Sequence, residues 1–145
     1  MACGEANFRA QVLALINQRR AAAANCGSSG SFPQAAPVAW NDALLQAAWG
    51  HSSDMARRNY FSHTSPEGGS LSMRIDAAGY DWSSIGENIA AGQPDAASVI
   101  AGWMASPGHC KNIMTAAYVE IGMACAYNAA SRYGRYYTLD LARPR

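Results

Sequence analysis

The chain reads as an α+β domain, and three observations predict it. Helical apolar periodicity recurs through the first two thirds, strict alternation fills the last quarter, and Gly, Pro, Ser and Asn collect between the periodic stretches. The spacing predicts a first helix over residues 5–24. Phe8, Val12, Leu15 and Ile16 form its apolar face, with Arg9, Gln18, Arg19 and Arg20 mostly off it. A glycine- and serine-rich loop follows at 25–31, then an extended stretch between Pro33 and Pro37. Asn41 is a good N-cap with Asp42 in the first turn, which opens a helix over 42–58. Its inner stripe is Leu44, Ala48, His51 and Met55, so His51 faces the core and needs a backbone or carboxylate partner.

Residues 59–69 form a long loop, and Ser70 caps a short helix through Ala78 that Gly79 closes. Residues 80–84 read as irregular. Pro94, in a first-turn position, and Asp95 open a third long helix whose apolar side is Val99, Ile100, Trp103 and Met104. That helix stops at Ser106-Pro107-Gly108, with His109 directly after the turn. Residues 119–127 alternate, placing Val119, Ile121, Met123, Cys125 and Tyr127 on one face. Residues 133–142 alternate as well, with Tyr137, Leu139 and Leu141 together and a hairpin loop at 128–132.

A chain of 145 residues is the length of one domain, so 1–145 is read as a single unit able to bury a substantial core. Half the residues are hydrophobic and 14% are charged, which excludes a disordered chain. The net charge is +1, ten of the eleven basic residues are arginine, and they make no basic stripe. A nucleic-acid partner is therefore not expected. No apolar run approaches the ~20 residues needed to span a bilayer.

Cys3, Cys26, Cys110 and Cys125 contain no C-x-x-C pair, which argues against a zinc ribbon or thioredoxin-type site. Four cysteines allow three pairings. Cys3–Cys26 with Cys110–Cys125 is the simplest, because each bond brackets one local unit. Two disulfides imply an oxidising compartment, so the protein is expected to be secreted or periplasmic. Residues 1–5 lack a basic n-region and an apolar h-region, so the expectation is that a leader was removed and that Met1 was added for expression.

His63, Glu87 and His109 each sit in a loop or at an element end beside glycine, proline or small polar residues. Such positions present side chains to a cleft. Two imidazoles and a carboxylate can hold a divalent metal with open positions, or carry out general acid–base chemistry near neutral pH. Ser62, Ser65 and Ser106 lie close to these histidines in sequence, but no G-x-S-x-G elbow is present. There is no Walker A loop and no dinucleotide fingerprint. Glu120 reads as an exposed or edge carboxylate, Asp54 and Asp76 as solvated helix positions, and the four tryptophans as core or cleft wall.

Several segments, in order, resemble the CAP superfamily, or SCP domains: cysteine-rich secretory proteins, antigen 5 and pathogenesis-related proteins. The likeness is greatest to the bacterial branch. The segments are H-S-S-D-M-A (51–56), Y-F-S-H (60–63), G-E-N-I-A (86–90), W-M-A-S-P-G-H-C-K-N-I-M (103–114), Y-V-E-I-G-M-A-C (118–125) and Y-Y-T-L-D-L-A (136–142), together spanning about residues 8–142. The resemblance implies a three-layer α-β-α sandwich around a small, largely antiparallel sheet. It implies that His63, Glu87 and His109 line one cleft, which in many relatives binds a divalent metal, commonly zinc, or belongs to a proposed catalytic centre. Eukaryotic relatives usually carry a second glutamate where Ser106 stands here, and a long loop where this chain has only Pro107-Gly108. Sterol binding is therefore not carried over, nor is any cysteine-rich extension.

The functional expectation is a secreted, monomeric binding module. Its His/Glu cleft holds a metal and a small, lipid-like or cell-envelope ligand. The alternative is a metal-dependent or His/Glu-assisted hydrolase acting on peptide or ester bonds.

Overall fold

The computed structural model describes residues 1–145 as a three-layer sandwich. The middle layer is a four-stranded sheet in the order β3-β5-β6-β4, where β3 is Ala39–Trp40, β4 Trp82–Ala91, β5 Glu120–Tyr127 and β6 Arg135–Pro144. The β4–β6 and β5–β6 pairs are antiparallel, and the short β3–β5 pair is parallel. Two further strands, β1 (Ala24–Asn25) and β2 (Ser31–Phe32), form a small separate ribbon around a 3-10 turn at Gly27–Ser29.

The strand alternation assigns each helix to a face. Ile121, Met123, Cys125, Tyr137, Leu139 and Leu141 point one way and make the main core. They pack there with Val12 and Ile16 of α1 (Phe8–Arg20), Val99, Ile100 and Trp103 of α4 (Ala96–Met104), and Ile113 and Met114 of α5 (Pro107–Met114). The opposite face carries α2 (Asp42–Arg58) and α3 (Leu71–Ala77). Here Ser52 and Thr138 meet through their hydroxyls at 2.6 Å, and Asp140 and its cross-strand partner Glu87 lie on the same face as Thr138. The face is lined with small residues so that α2 can press close. A Cβ on Gly122 would lie 2.1 Å from the Leu45 nitrogen.

The caps form as the sequence implies. Asn41 Oδ1 accepts from the Ala43 and Leu44 amides, and Ser70 Oγ accepts from Met73 N–H. His51 is buried on the inner stripe of α2 and donates from Nε2 to the Ser62 carbonyl at 2.7 Å, the satisfied core histidine expected.

Several expectations need correction. The first helix is Phe8–Arg20 rather than 5–24: Asn7 takes a left-handed φ of 56°, and the alanines at 21–24 leave the helix so that β1 can pair with β2. Tertiary pairing overrides their helix propensity. Residues 82–84 are strand rather than irregular, with a register shift between Trp82 and Ser84 that hid the alternation. Asp95 is the N-cap of α4, so Pro94 lies before the helix. The helix carrying Trp103 ends just before Pro107-Gly108 as expected, but a new helix starts there at once. Ser106 is an N-cap and Pro107 opens α5, which puts His109 in a helical first turn. Glu120 is half-buried, accepting from Tyr80 Oη at 2.6 Å and Asn41 Nδ2 at 3.4 Å. Asp54 is partly buried and bonded by Tyr60, Arg57 and Arg58, whereas Asp76 is the exposed helix position expected, with Trp82 Nε1 donating to it.

The disulfides also differ from expectation: they are Cys3–Cys125 and Cys26–Cys110. The N-terminal segment lies along β5, where Cys3 N–H donates to the Cys125 carbonyl and Ala2 bridges Ala126. The turn after Cys26 packs on the start of α5, with Gly27 against Pro107. Each bond therefore joins elements distant in sequence rather than bracketing a local unit.

Arg20, expected off the apolar face, is fully buried. No carboxylate reaches it. Its guanidinium donates instead to the carbonyls of Ala36 (2.8 Å), Ile113 (2.8 Å), Thr115 (3.0 Å) and Tyr118 (2.9 Å). Two of these close the C-terminal end of α5, where a cation is favoured by the helix dipole. Arg20→Met keeps the bulk and removes every donor. Each carbonyl left unsatisfied costs about 1–3 kcal/mol. Urea denaturation is expected to show a multi-kcal/mol loss, and a loss under about 1 kcal/mol would contradict this role.

Candidate functional site

Strand β4 has only one sheet neighbour, so its far side is a free edge. The three candidate residues gather around that edge from three elements: Glu87 from β4 itself, His63 from the loop on the α2 side, and His109 from α5 on the other side.

Glu87 is the buried centre. Its side chain is 2% exposed and points to the α2 face. Arg74 of α3 clamps it through Nη2, 2.9 Å from Oε1 and 2.8 Å from Oε2. His63 Nδ1 donates to Oε1 at 2.9 Å. Through Nη1, Arg74 also donates to the His63 carbonyl at 3.1 Å, so one guanidinium holds both the carboxylate and the histidine backbone. Burial by itself would push the Glu87 carboxyl up. Hydrogen bonding from His63 and Asp140, with the charge of Arg74, outweighs it and holds Glu87 at about 2.

Asp140, which the sequence reading passed over, sits directly opposite Glu87 in the β4–β6 register and is fully buried. No N–H or hydroxyl donor reaches either of its oxygens, so the bond between the two carboxyls is carried by Asp140's own proton. Burial and the facing carboxylate drive its pKa well above the ordinary carboxyl range, so it keeps its proton while Glu87 is charged.

His109 Nδ1 is 3.0 Å from Ser106 Oγ, one turn back. Its ring is tilted against Trp103, with centroids 6.4 Å apart. Burial, then the charge of His63, lowers its basicity. The pattern common to both histidines is that each engages Nδ1 with a neighbour and leaves Nε2 uncommitted. In the neutral His63 ring the carboxylate selects the tautomer with the proton on Nδ1 and the lone pair on Nε2.

No three His, Cys, Asp or Glu side chains converge as a metal-holding group. Glu87 is unsuited to direct ligation because both its oxygens face Arg74. The two imidazoles do suit a borderline-soft cation. Ser62 and Ser65 serve their own loop, accepting from the Thr64 and Gly69 amides.

Beside His109 lies a cavity of about 390 Å³ walled by Phe61, Ile89, Val99, Trp103 and Tyr133, with Gln93, Ser106 and His109 as polar groups. Phe61 and Tyr133 are among the few exposed large hydrophobics.

Comparison with known proteins agrees with this architecture. Residues 13–141 match the model of the CAP group, the cysteine-rich secretory protein family, and the chain belongs to that family. An extracellular SCP-domain protein from Bacillus anthracis superposes with a TM-score of 0.73 at 30% identity, over 92% of this chain and 39% of that one. An outer surface protein of Borrelia burgdorferi superposes at 0.71 with 15% identity, over 94% of this chain and 89% of that one, a likeness of fold alone. Among curated proteins, the uncharacterized membrane protein YlbC of Bacillus subtilis is 38% identical over 61% of this chain. The uncharacterized protein YkwD of the same organism is 38% identical over 60%. This chain covers 25% and 34% of their respective lengths. Two disulfides and the extracellular relative point to a secreted protein, and no helix is long and apolar enough to cross a membrane.

The Asp140–Glu87 pair makes a signed prediction. A carboxyl whose folded-state pKa is raised stabilises fully only below its unfolded pKa, near 3.8, and loses that contribution as pH climbs towards the folded one. Asp140→Asn mimics the protonated acid and removes this loss. Urea denaturation is expected to show the variant gaining on the wild type between pH 4 and 7. A stability difference that stays flat with pH would contradict a protonated Asp140.

Proposed function

We propose that the edge of β4 is a two-histidine site for a divalent metal in a secreted ligand-binding module. His63 and His109 would hold the ion through Nε2, with Glu87 supporting His63 from behind. The observation carrying this reading is the shared commitment of both Nδ1 atoms, which leaves one uncommitted ring nitrogen on each histidine. A carboxylate hydrogen-bonded to the far nitrogen of a metal-binding imidazole orients it and raises its basicity. A bound zinc would supply a Lewis acid for an oxygen or nitrogen of the ligand. The adjoining cavity supports a small or lipid-like ligand, with the apolar part against Phe61, Trp103 and Tyr133 and the polar end at His109.

Isothermal titration with zinc tests this. The double variant His63→Ala/His109→Ala is expected to lose binding. Glu87→Gln, which leaves the ligands in place but weakens their support, should reduce affinity by about 10- to 100-fold. Wild-type affinity in the double variant would end the proposal.

A second reading, a hydrolase of peptide or ester bonds, is favoured by one observation. A buried carboxylate on His63 Nδ1 is also the arrangement that makes Nε2 a general base. It requires turnover that falls in Glu87→Gln. Hydrolysis of model esters and peptides at equal rates by the wild type and that variant would exclude it.

A further inference from the structure

Two asparagines link the main chains of Glu87 and His109. Asn112 Nδ2 donates to the Glu87 carbonyl at 3.2 Å and to Asn88 Oδ1 at 2.8 Å. Asn88 Nδ2 donates in turn to the His109 carbonyl at 3.1 Å. Only one orientation of the Asn88 amide satisfies this chain. Flipping it would set an oxygen against the His109 carbonyl and an NH₂ against the Asn112 NH₂. Asn88 is fully buried and Asn112 half-buried, so water cannot readily substitute at the inner bonds.

The rest of the contact between α5 and β4 explains why such a link matters. Three successive free-edge carbonyls of β4 are covered by a side-chain donor rather than by a strand: Ile85 by Tyr118 Oη at 3.0 Å, Glu87 by Asn112, and Ile89 by Trp103 Nε1 at 3.1 Å. Of these three only Asn112 belongs to α5, the helix that carries His109. On its other flank α5 is fixed by the Cys26–Cys110 bond and by Arg20 at its C-terminal end, neither of which touches β4. The height of His109 relative to Glu87, and so to His63, is therefore set through Asn112 and Asn88.

We infer that Asn88 and Asn112 are positioning residues, a hydrogen-bonded bridge that sets the separation of the two site histidines. The inference rests on the two-histidine reading for its consequence, but the bridge itself can be tested without metal. Asn112→Ala is the informative variant, because Asn88→Ala empties a fully buried polar position and can fail to fold. Asp95→Ala, which removes the distant cap of α4, serves as a control for general destabilisation.

Two measurements are made: zinc affinity by titration, and the imidazole Cε1–Hε1 NMR signals of the metal-free protein. Asn112→Ala is expected to weaken zinc binding about 10-fold or more and to shift or broaden the His109 signal while leaving that of His51 in place. Asp95→Ala should do neither. If His109 keeps its wild-type signal in Asn112→Ala, the bridge is only a structural brace and the inference is overturned. If the wild type binds no zinc but the His109 signal moves, the two-histidine reading fails and the positioning role stands.

Discussion

A carboxylate held charged inside the protein organises this site. Glu87 is removed from water on an edge strand, and leaving its charge unpaired there would cost several kcal/mol. Arg74 meets that demand with a two-point contact, His63 adds a hydrogen bond, and Asp140 yields by keeping its proton. Each partner comes from a different element: α3, the 59–69 loop and β6. Pairing one charge therefore fixes three segments. The loop is otherwise tied by the Ser62 carbonyl on His51 and by the Arg58–Glu67 ion pair.

The other half of the site is built on separate supports. His109 rides on a helix fastened by a disulfide, by a buried arginine that donates only to carbonyls, and by the asparagine pair. None of these passes through Glu87's side chain. The edge strand lies between two supports on opposite faces of the sheet. That edge is covered from Ile85 to Ile89 by Tyr118, Asn112 and Trp103, which blunts it against strand addition. Gly86 allows the closest of these approaches, since a Cβ there would lie 2.7 Å from the Tyr118 hydroxyl.

The periodic parts of this architecture were legible in the sequence. The stripe of α2, its asparagine cap, the Ser70 cap and the shared face of Ile121, Met123 and Cys125 follow from local rules that need no partner. The ordered motifs singled out His63, Glu87 and His109 as candidates, and the contact of His63 with Glu87 is present in the fold. What escaped depends on register or on distance. Asp140 looks like one polar residue in an alternating strand until the pairing sets it against Glu87. Arg74 carries no signal on a seven-residue helix. Arg20 read as a surface charge because its acceptors lie sixteen to ninety-eight positions away. The disulfides were paired by proximity in sequence, whereas the fold joins the N-terminus to β5 and the first turn to α5. The helix over Pro107–Met114 was missed because proline and glycine read as a stop, although proline suits a helix start.

The central claim is that Glu87 supports a ligand without being one. A crystal structure of the protein with zinc tests it most directly. The account predicts zinc bonded to Nε2 of His63 and of His109 at about 2.0–2.1 Å, with Glu87 still on Arg74 and His63 Nδ1. Zinc bonded to a Glu87 oxygen with Arg74 displaced, or no zinc at the two histidines at saturating concentration, would contradict it.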